Sequence, residues 1–287
     1  MAILVDSDTQ VLIQGATGRQ GAYHTLRMQQ YNVKVVAGVT PGKGGQKVHG
    51  VPVFDTIAQA KRRLRIDASM ILVPPAGTLS AALEAIENRI PLVVIITEFV
   101  PIHDTLVIRR MSQKAKVRVI GPNTIGVISP GQSQIGIMPG FIYSKGNIGI
   151  ISRSGTLTHE IASNLTYKGL GQSTCVGIGG DPVRGSDFID ILELFRNDDQ
   201  TERIVLIGEI GGAGEEAAAE YLRETQYPKK IIAYIAGATA PHEKKMGHAG
   251  AIISGGLGTV ESKLSSLKAA GALIAHSLDE ILELAKT

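Results

Sequence analysis

Short runs of β-branched apolar residues alternate with amphipathic helical stretches along the chain, and this alternation limits its possible folds more than any other feature. In the first half the apolar runs occupy residues 10–14, 34–39, 68–73, 92–97 and 117–120, each followed by Gly or Pro and then by a helical period. Near-continuous apolar strands separated by helices are typical of a parallel sheet covered on both faces. We therefore predict an α/β fold.

The second half of the chain repeats this rhythm after a stretch rich in Gly and Pro at residues 122–146. The sequence predicts strands at residues 148–151, 173–178, 204–207, 231–235 and 272–275, and helices near 156–168, 188–195, 213–224, 259–270 and 278–285. A length of 287 residues suits two domains of about 150 residues each. We expect a first domain at 1–122, an irregular linker at 123–145 and a second domain at 146–287.

Composition excludes several classes of protein. Apolar content is 44%, which argues against disorder, and the lone Cys175 excludes a disulfide scaffold and favours the cytoplasm. The sequence has no run of about 18 apolar residues, so we expect no membrane span, and the first residues do not resemble a signal peptide. A net charge of +3 is too small to indicate a nucleic-acid partner.

Glycine is abundant, with 34 residues, and it gathers after the predicted strands, where open α/β sheets bind ligands. Gly15, Gly18 and Gly21 follow the first strand and open the first helix, a place where backbone N–H groups can hold phosphate. The spacing differs from the G-x-G-x-x-G of NAD sites, and Lys43 follows the second strand in place of a ribose-binding acid. These residues favour a nucleotide with an extra phosphate, such as coenzyme A, over NAD, and NADP stays open on them alone.

Two clusters in the second half indicate phosphate chemistry. Ser154 and Gly155 open a predicted helix, where hydroxyl and N–H groups can hold an anion. His248 lies between glycines in a long loop at residues 237–256, and loops of that length are usually functional. No second His or Cys stands at metal-ligand spacing, so we predict no metal site. Glu209, at the end of a predicted strand, could orient the imidazole.

Several exact strings, in the same order over the whole length, resemble one family. They are GVTPGKGGQ at 38–46, ISRSGTLTH at 151–159, STCVGIGGDPV at 173–183, IGEIGGA at 207–213 and KMGHAGAI at 245–252. The chain resembles the α subunits of succinyl-CoA synthetases, which are succinate–CoA ligases. The motifs also extend to ATP-citrate lyase and to malyl- and citryl-CoA synthetases. The resemblance implies a Rossmann-like CoA-binding domain followed by a flavodoxin-like ligase domain.

The resemblance also implies a role for each matching residue. His248 would be the phosphohistidine, Glu209 would hydrogen-bond its ring, and Ser154 and Gly155 would receive the phosphoryl group. The CoA site would be formed by Thr17, Gly18, Arg19, Gln20, Lys43, Ile96, Thr97 and Glu98. An ATP-grasp β subunit, in a heterodimer or heterotetramer, would hold Mg-ATP or Mg-GTP. The implied reaction is the reversible conversion of succinate, CoA and a nucleoside triphosphate to succinyl-CoA, nucleoside diphosphate and phosphate, as in the tricarboxylic acid cycle.

Two positions depart from the family pattern. Thr124 stands where many bacterial members have a cysteine, and His159 replaces a tyrosine that usually lies by the substrate carboxylate. We therefore expect His159 to contact the substrate. The alternatives are a malyl-CoA or citryl-CoA synthetase subunit, an NADP-dependent oxidoreductase, and a non-catalytic CoA-binding regulator. An oxidoreductase has no use for the His248 loop, and a regulator has none for Glu209 and Ser154.

Overall fold

The first half of the chain forms a sheet covered by helices. The computed structural model describes residues 2–237, 248–252 and 258–287. The first strands are β1 (Gln10–Gln14), β2 (Lys34–Val39), β3 (Lys47–Val48), β4 (Val51–Phe54), β5 (Ala68–Ile71), β6 (Leu92–Ile95) and β7 (Arg118–Ile120). The helices of this half are α1 (Arg19–Gln30), α2 (Ile57–Lys61), α3 (Pro75–Glu87) and α4 (Ile102–Ala115). The predicted strands at 10–14, 34–39, 68–73, 92–97 and 117–120 are confirmed, within a few residues at each end.

The strand order of this sheet is β3-β4-β2-β1-β5-β6-β7. Apart from β3, which pairs antiparallel with β4, neighbouring strands are parallel. Numbered among themselves, the six parallel strands follow the order 3-2-1-4-5-6 of a Rossmann fold. The sequence did not predict β3 and β4, because such short strands carry little periodicity.

The second half forms another sheet. Its strands are β8 (Gly126–Ser129), β9 (Ser133–Gly136), β10 (Lys145–Ser152), β11 (Gln172–Gly177), β12 (Arg203–Glu209), β13 (Lys230–Ala236) and β14 (Leu273–Ile274). The helices are α5 (Gly155–Tyr167), α6 (Phe188–Arg196), α7 (Gly214–Glu224), α8 (Val260–Ala269) and α9 (Leu278–Lys286), with a short 3-10 turn at Gly140–Ile142. All five strands and all five helices predicted for this half are present.

The strand order of the second sheet is β14-β13-β12-β10-β11-β8-β9. The parallel strands β10 to β14, numbered among themselves, follow the flavodoxin order 2-1-3-4-5. The predicted fold class, a Rossmann-like domain followed by a flavodoxin-like domain, is therefore confirmed. Within the described ranges, none of the helices combines the length and apolar character needed to cross a bilayer.

The stretch 123–145 differs from the irregular linker that we expected. It contains β8 and β9, a hairpin that extends the second sheet by antiparallel pairing of β8 with β11. Thr124 anchors the hairpin, because its hydroxyl donates to the Gly177 carbonyl and accepts from the Gly126 N–H at 2.9 Å. The hydroxyl at this position therefore has a structural use. The division of the chain at residues 122 and 146 stays a prediction.

The two sheets share buried packing. One cluster of buried apolar side chains includes Ile13 and Met70 of the first sheet and Ile151 and Val176 of the second. Backbone bonds also cross between the halves, since the Gly185 N–H donates to the Gly121 carbonyl at 2.8 Å. The carboxyl ends of strands from both sheets therefore border one common region.

Candidate functional site

A cavity of about 250 Å³ lies where strand ends of the two sheets meet. Its lining comprises Ile96, Glu98, Asn123, Thr124, Ile125, Ile137, Arg153, Gly155, Thr156, His159, Gly177, Gly179 and His248. The structure thus brings together His248, Gly155, His159 and Glu98, for which the sequence predicted different roles. The location agrees with the rule that ligands bind beyond the carboxyl ends of parallel strands.

The imidazole of His248 is bonded to Glu209, the last residue of β12. The Nδ1 atom of His248 lies 2.7 Å from Oε2 of Glu209, and Glu209 is only 6% exposed. The hydrogen bond from Glu209 raises the pKa of His248 above its usual value, although burial of the ring opposes this. Since Nδ1 faces the carboxylate, Nε2 is the nitrogen left for chemistry. Of the predicted loop at 237–256, residues 238–247 and 253–256, with Gly247 among them, lie outside the described residues.

Glu209 is itself held by Arg153, which follows β10. The Nη2 atom of Arg153 lies 3.2 Å from Oε1 of Glu209, and Nη1 donates to the Gly211 carbonyl at 3.0 Å. Arg153 is 4% exposed, so this ion pair is almost fully removed from water. Arg153 lies within the ISRSGTLTH string at 151–159, but the sequence predicted no role for it. A strand-end arginine carries no sequence signal for the direction of its side chain.

The start of α5 lies beside the cavity. Ser154 is the N-cap residue, and its hydroxyl accepts from the Leu157 N–H at 3.4 Å. The N–H of Ser154 donates to the Ser152 hydroxyl at 3.0 Å. The N–H groups of Gly155 and Thr156, in the first turn, have no intrahelical acceptor, and the helix dipole adds positive potential there. This helix start can therefore hold an anion, chiefly through Gly155 and Thr156.

His159 lies on α5 and lines the same cavity. Its Nδ1 is 2.8 Å from the hydroxyl of Tyr143, which is 6% exposed. Burial lowers the pKa of His159 and raises the pKa of Tyr143, so both groups are neutral at pH 7. If the Tyr143 hydroxyl donates a hydrogen bond to Nδ1, the single ring proton of neutral His159 is on Nε2, which can donate a hydrogen bond to a ligand. Tyr143 was not among the predicted residues.

A second depression, of about 440 Å³, lies at the start of α1. It is lined by Gly18, Arg19, Gln20, Gly21, Leu72, Val73, Pro74, Ile96 and Thr97, and we name it the α1 cleft. Five of the residues predicted for CoA binding therefore share one depression. Ile96 lines both the α1 cleft and the cavity at His248, so the two spaces are neighbours.

The α1 cleft is suited to a pyrophosphate group. A Cβ on Gly21 would stand 2.1 Å from the Gly15 carbonyl oxygen, so this position requires glycine for the helix to begin so close to the loop. The N-cap residue Gly18 has no side chain to bond the first N–H groups of α1, which leaves them open to a ligand. The residues present therefore fit the phosphate groups of CoA.

The other residues predicted for CoA lie outside the lining of the α1 cleft. Glu98 borders the cavity at His248. Thr17 is next to Gly18, and its N–H donates to the Thr40 hydroxyl at 3.3 Å. Lys43 is exposed on the turn after β2, with its N–H bonded to the Thr40 carbonyl at 3.0 Å. Their roles stay predictions.

Comparison with known proteins identifies both halves of the chain. The family of the CoA binding domain matches residues 6–99, and the CoA-ligase family matches residues 151–273. The chain is 53% identical over 284 residues to succinate–CoA ligase [ADP-forming] subunit alpha 2 of Archaeoglobus fulgidus, covering 99% of this chain and 98% of that protein. It is 50% identical to the corresponding alpha subunit of Aquifex aeolicus, covering 99% and 93%.

A solved structure of ATP citrate lyase from Methanothrix soehngenii, in complex with citrate and coenzyme A, resembles the whole chain. The TM-score is 0.90 at 25% sequence identity, with 99% of this chain covered. This chain spans 50% of that lyase chain, so the remainder of the lyase has no counterpart here. Identity of about half over nearly the full length of the curated relatives, together with both family matches, shows that the chain belongs to the succinate–CoA ligase alpha subunits.

Proposed function

We propose that this chain carries the phosphohistidine of a succinate–CoA ligase and that Nε2 of His248 accepts the phosphoryl group. The observation that carries this proposal is the 2.7 Å contact between Nδ1 of His248 and Glu209. A nucleophilic imidazole needs one nitrogen tied to an acceptor that fixes its tautomer, while the other stays free. Glu209 provides that acceptor and stabilises the cation that forms on phosphorylation.

In the first step, the lone pair of Nε2 attacks the γ-phosphorus of the nucleoside triphosphate. A nitrogen–phosphorus bond forms, and the bond to the nucleoside diphosphate oxygen breaks. The proton on Nδ1 stays between His248 and Glu209 throughout. The raised pKa of His248 means that the imidazole must lose a proton before it attacks, so we expect this step to slow in acid.

In the second step, a carboxylate oxygen of succinate attacks the phosphorus and the nitrogen–phosphorus bond breaks, which leaves an acyl phosphate. The N–H groups of Gly155 and Thr156, with Ser154 as the N-cap, are placed to stabilise the negative phosphoryl oxygens. We propose that Nε2–H of His159 donates to the other carboxylate of the substrate. Its neutral state and its place on the cavity wall support this role.

In the third step, the thiolate of CoA attacks the acyl carbon, and inorganic phosphate leaves. We propose that the α1 cleft holds the pyrophosphate of CoA through Gly18, Arg19 and Gln20, with Thr17 beside them and Lys43 reaching a further phosphate. Ile96, Thr97 and Glu98 then lie along the path from the α1 cleft to His248. The position of Ile96 in the lining of both spaces supports this path.

We propose that the nucleotide, as Mg-ATP or Mg-GTP, is held by an ATP-grasp β subunit in a heterodimer or heterotetramer. The naming of the relatives as alpha subunits supports a partner subunit. We also propose a cytoplasmic location. The lone cysteine, Cys175, is fully buried and unpaired, which fits a reducing compartment.

The test uses this chain with its co-purifying partner, Mg²⁺ and γ-labelled nucleotide. We expect acid-labile, base-stable label on the peptide that contains His248, and we expect succinate plus CoA to discharge it. If malate or citrate discharges the label and succinate does not, the phosphohistidine is supported and the substrate is a different acid. Absence of label from a partner-bound chain would contradict the proposal and favour a CoA-binding regulator.

A further inference from the structure

A buried series of alternating charges extends from Glu209 away from the cavity. Arg153 stands between two carboxylates, because its Nη2 lies 3.2 Å from Oε1 of Glu209 and its Nη1 lies 3.2 Å from Oε1 of Glu215. The Nζ atom of Lys263, on α8, contacts the other oxygen of Glu215. We name Glu209, Arg153, Glu215 and Lys263 the buried charge chain.

The buried charge chain connects the ends of β10 and β12 to the first turn of α7 and to α8, the helix that follows the His248 loop. Glu215, in the first turn of α7, also accepts the N–H of Glu209 at 3.2 Å. Lys263 donates to the Gly212 carbonyl at 2.9 Å and so ties α8 to the turn that follows β12. The Gly211 N–H donates to the Gly258 carbonyl at 2.8 Å, which is a second link between the same two regions.

Packing alone does not account for these charges. Side chains of Glu215 and Lys263 are both 0% exposed, and buried ion pairs are often no more stabilising than apolar residues of similar volume. Charged groups at such positions can orient a neighbouring side chain or set the electric potential at it. The group at the solvent end of the series is Glu209, whose other oxygen bonds His248.

We propose that Glu215 and Lys263 are positioning residues for the phosphorylated histidine, acting on Glu209 through Arg153. Glu215 fixes the guanidinium of Arg153 and the backbone of Glu209, and Lys263 balances the charge of Glu215 while holding the turn at Gly212. This inference rests on the proposed role of His248 and extends it to residues that touch no reactant.

The charges that face His248 come from the ends of three strands. They are Glu209 at the end of β12, Arg153 after β10 and Asp181 after β11. Removing the negative charge of Glu215 leaves the positive charges of Arg153 and Lys263 less neutralised. The electric potential at His248 therefore becomes more positive, and the pKa of His248 falls. Removing the positive charge of Lys263 leaves the negative carboxylates less neutralised, so the pKa of His248 rises.

The experiment compares Glu215→Gln, Lys263→Met and the double variant in the full chain labelled with [13Cε1]histidine. The titration of His248, identified by loss of its signal in His248→Asn, is followed by NMR. We expect the midpoint to move down by about half a pH unit in Glu215→Gln and up by a similar amount in Lys263→Met. In the double variant the removed charges cancel, and we expect the midpoint to return to that of the wild type.

Glu216→Gln is the matched control. Among the salt bridges of the described residues, Glu216 has no ion pair with Arg153. Its Oε2 lies 2.9 Å from Nζ of Lys263, and its side chain is 22% exposed. We expect this variant to move the His248 midpoint less than Glu215→Gln does. In the complex with nucleotide, we expect both single variants of the buried pair to form phosphohistidine on the order of tenfold to a hundredfold more slowly.

Three results separate the possibilities. Midpoints that stay unchanged, or that move in the same direction in both single variants, overturn the proposal even if thermal stability falls. If Glu215→Gln is lost to misfolding, the other two variants carry the test. The proposal is then overturned if the His248 midpoint does not rise in Lys263→Met, or if it does not return to the wild-type value in the double variant. Failure of the wild-type complex to label His248 overturns the proposed function instead, whatever the variants show.

Discussion

Gly180 lies directly against the imidazole of His248. A Cβ at Gly180 would stand 2.5 Å from Cγ of His248 and 2.8 Å from its Nδ1. The loop after β11 therefore forms the wall that the ring rests on, while Glu209 holds its edge. A side chain of any size at Gly180 must displace the ring or the loop.

We predict that Gly180→Ala lowers the rate of His248 phosphorylation on the order of 100-fold, because a displacement of about 1 Å is enough for such a loss. The measurement is single-turnover labelling with γ-labelled nucleotide in the complex. Gly77→Ala is the matched control, since a Cβ there meets Val73 only at 3.7 Å. A Gly180→Ala variant that labels at the wild-type rate would contradict the close packing of Gly180 against the His248 ring.

We predict that His159→Phe raises the KM for succinate about tenfold, since one hydrogen bond to the substrate is lost, with a smaller change in kcat. The measurement is steady-state kinetics at saturating CoA and nucleotide. His276→Phe is the control, because His276 is an exposed histidine near the start of α9. Equal KM values for His159→Phe and the wild type would place His159 outside the substrate site.

We predict that Lys43→Ala reduces the preference for CoA over dephospho-CoA by up to about fivefold, because Lys43 is exposed and a solvated ion pair contributes less than about 1 kcal/mol. The measurement is the ratio of the two dissociation constants at low salt. Lys47→Ala on β3 is the control, since Lys47 is exposed too. A preference unchanged by Lys43→Ala would remove Lys43 from the CoA site.

The His248–Glu209 pair should also make stability depend on pH. The hydrogen bond raises the folded-state pKa of His248 above 6.5, so folding favours the protonated ring. The stabilisation is fully present below the unfolded pKa and is lost as pH rises through the folded value. We therefore expect the free energy of unfolding lost in His248→Asn to be larger at about pH 5.5 than at about pH 8.5. Urea unfolding at both pH values measures it, and a difference of opposite sign would contradict it.

The regular elements were predictable from the sequence because their apolar periodicity is local. The strand β10 and the helix α5 follow directly from the pattern around Ser154. The pairing of Glu209 with His248 was expected because Glu209 ends a predicted strand and the family resemblance implies that it bonds the imidazole. The hairpin β8–β9 was not predictable in the same way. Its pairing partner is β11, which lies far along the chain. The Gly-rich stretch around the hairpin also lacks the alternation of apolar and polar residues that would predict a strand.

The polar contacts inside the site were harder to predict than the fold. Arg153, Glu215 and Lys263 are separated by 62 and 48 residues along the chain, so only the folded arrangement places them together. In the sequence, Glu215 and Lys263 look like ordinary charged helix positions. The same holds for Tyr143, whose hydroxyl contacts His159 because the 3-10 turn at Gly140–Ile142 packs against α5.

The shared packing between the two sheets limits how this chain can be recombined with relatives. Asn123 donates to Asp181 at 2.9 Å, and Gly185 bonds Gly121, so residues on both sides of the junction contact each other directly. A chimaera that joins the CoA-binding half of one family member to the ligase half of another must therefore keep these pairs matched. Exchanging the two halves as independent modules would alter the distance between the α1 cleft in one half and His248 in the other.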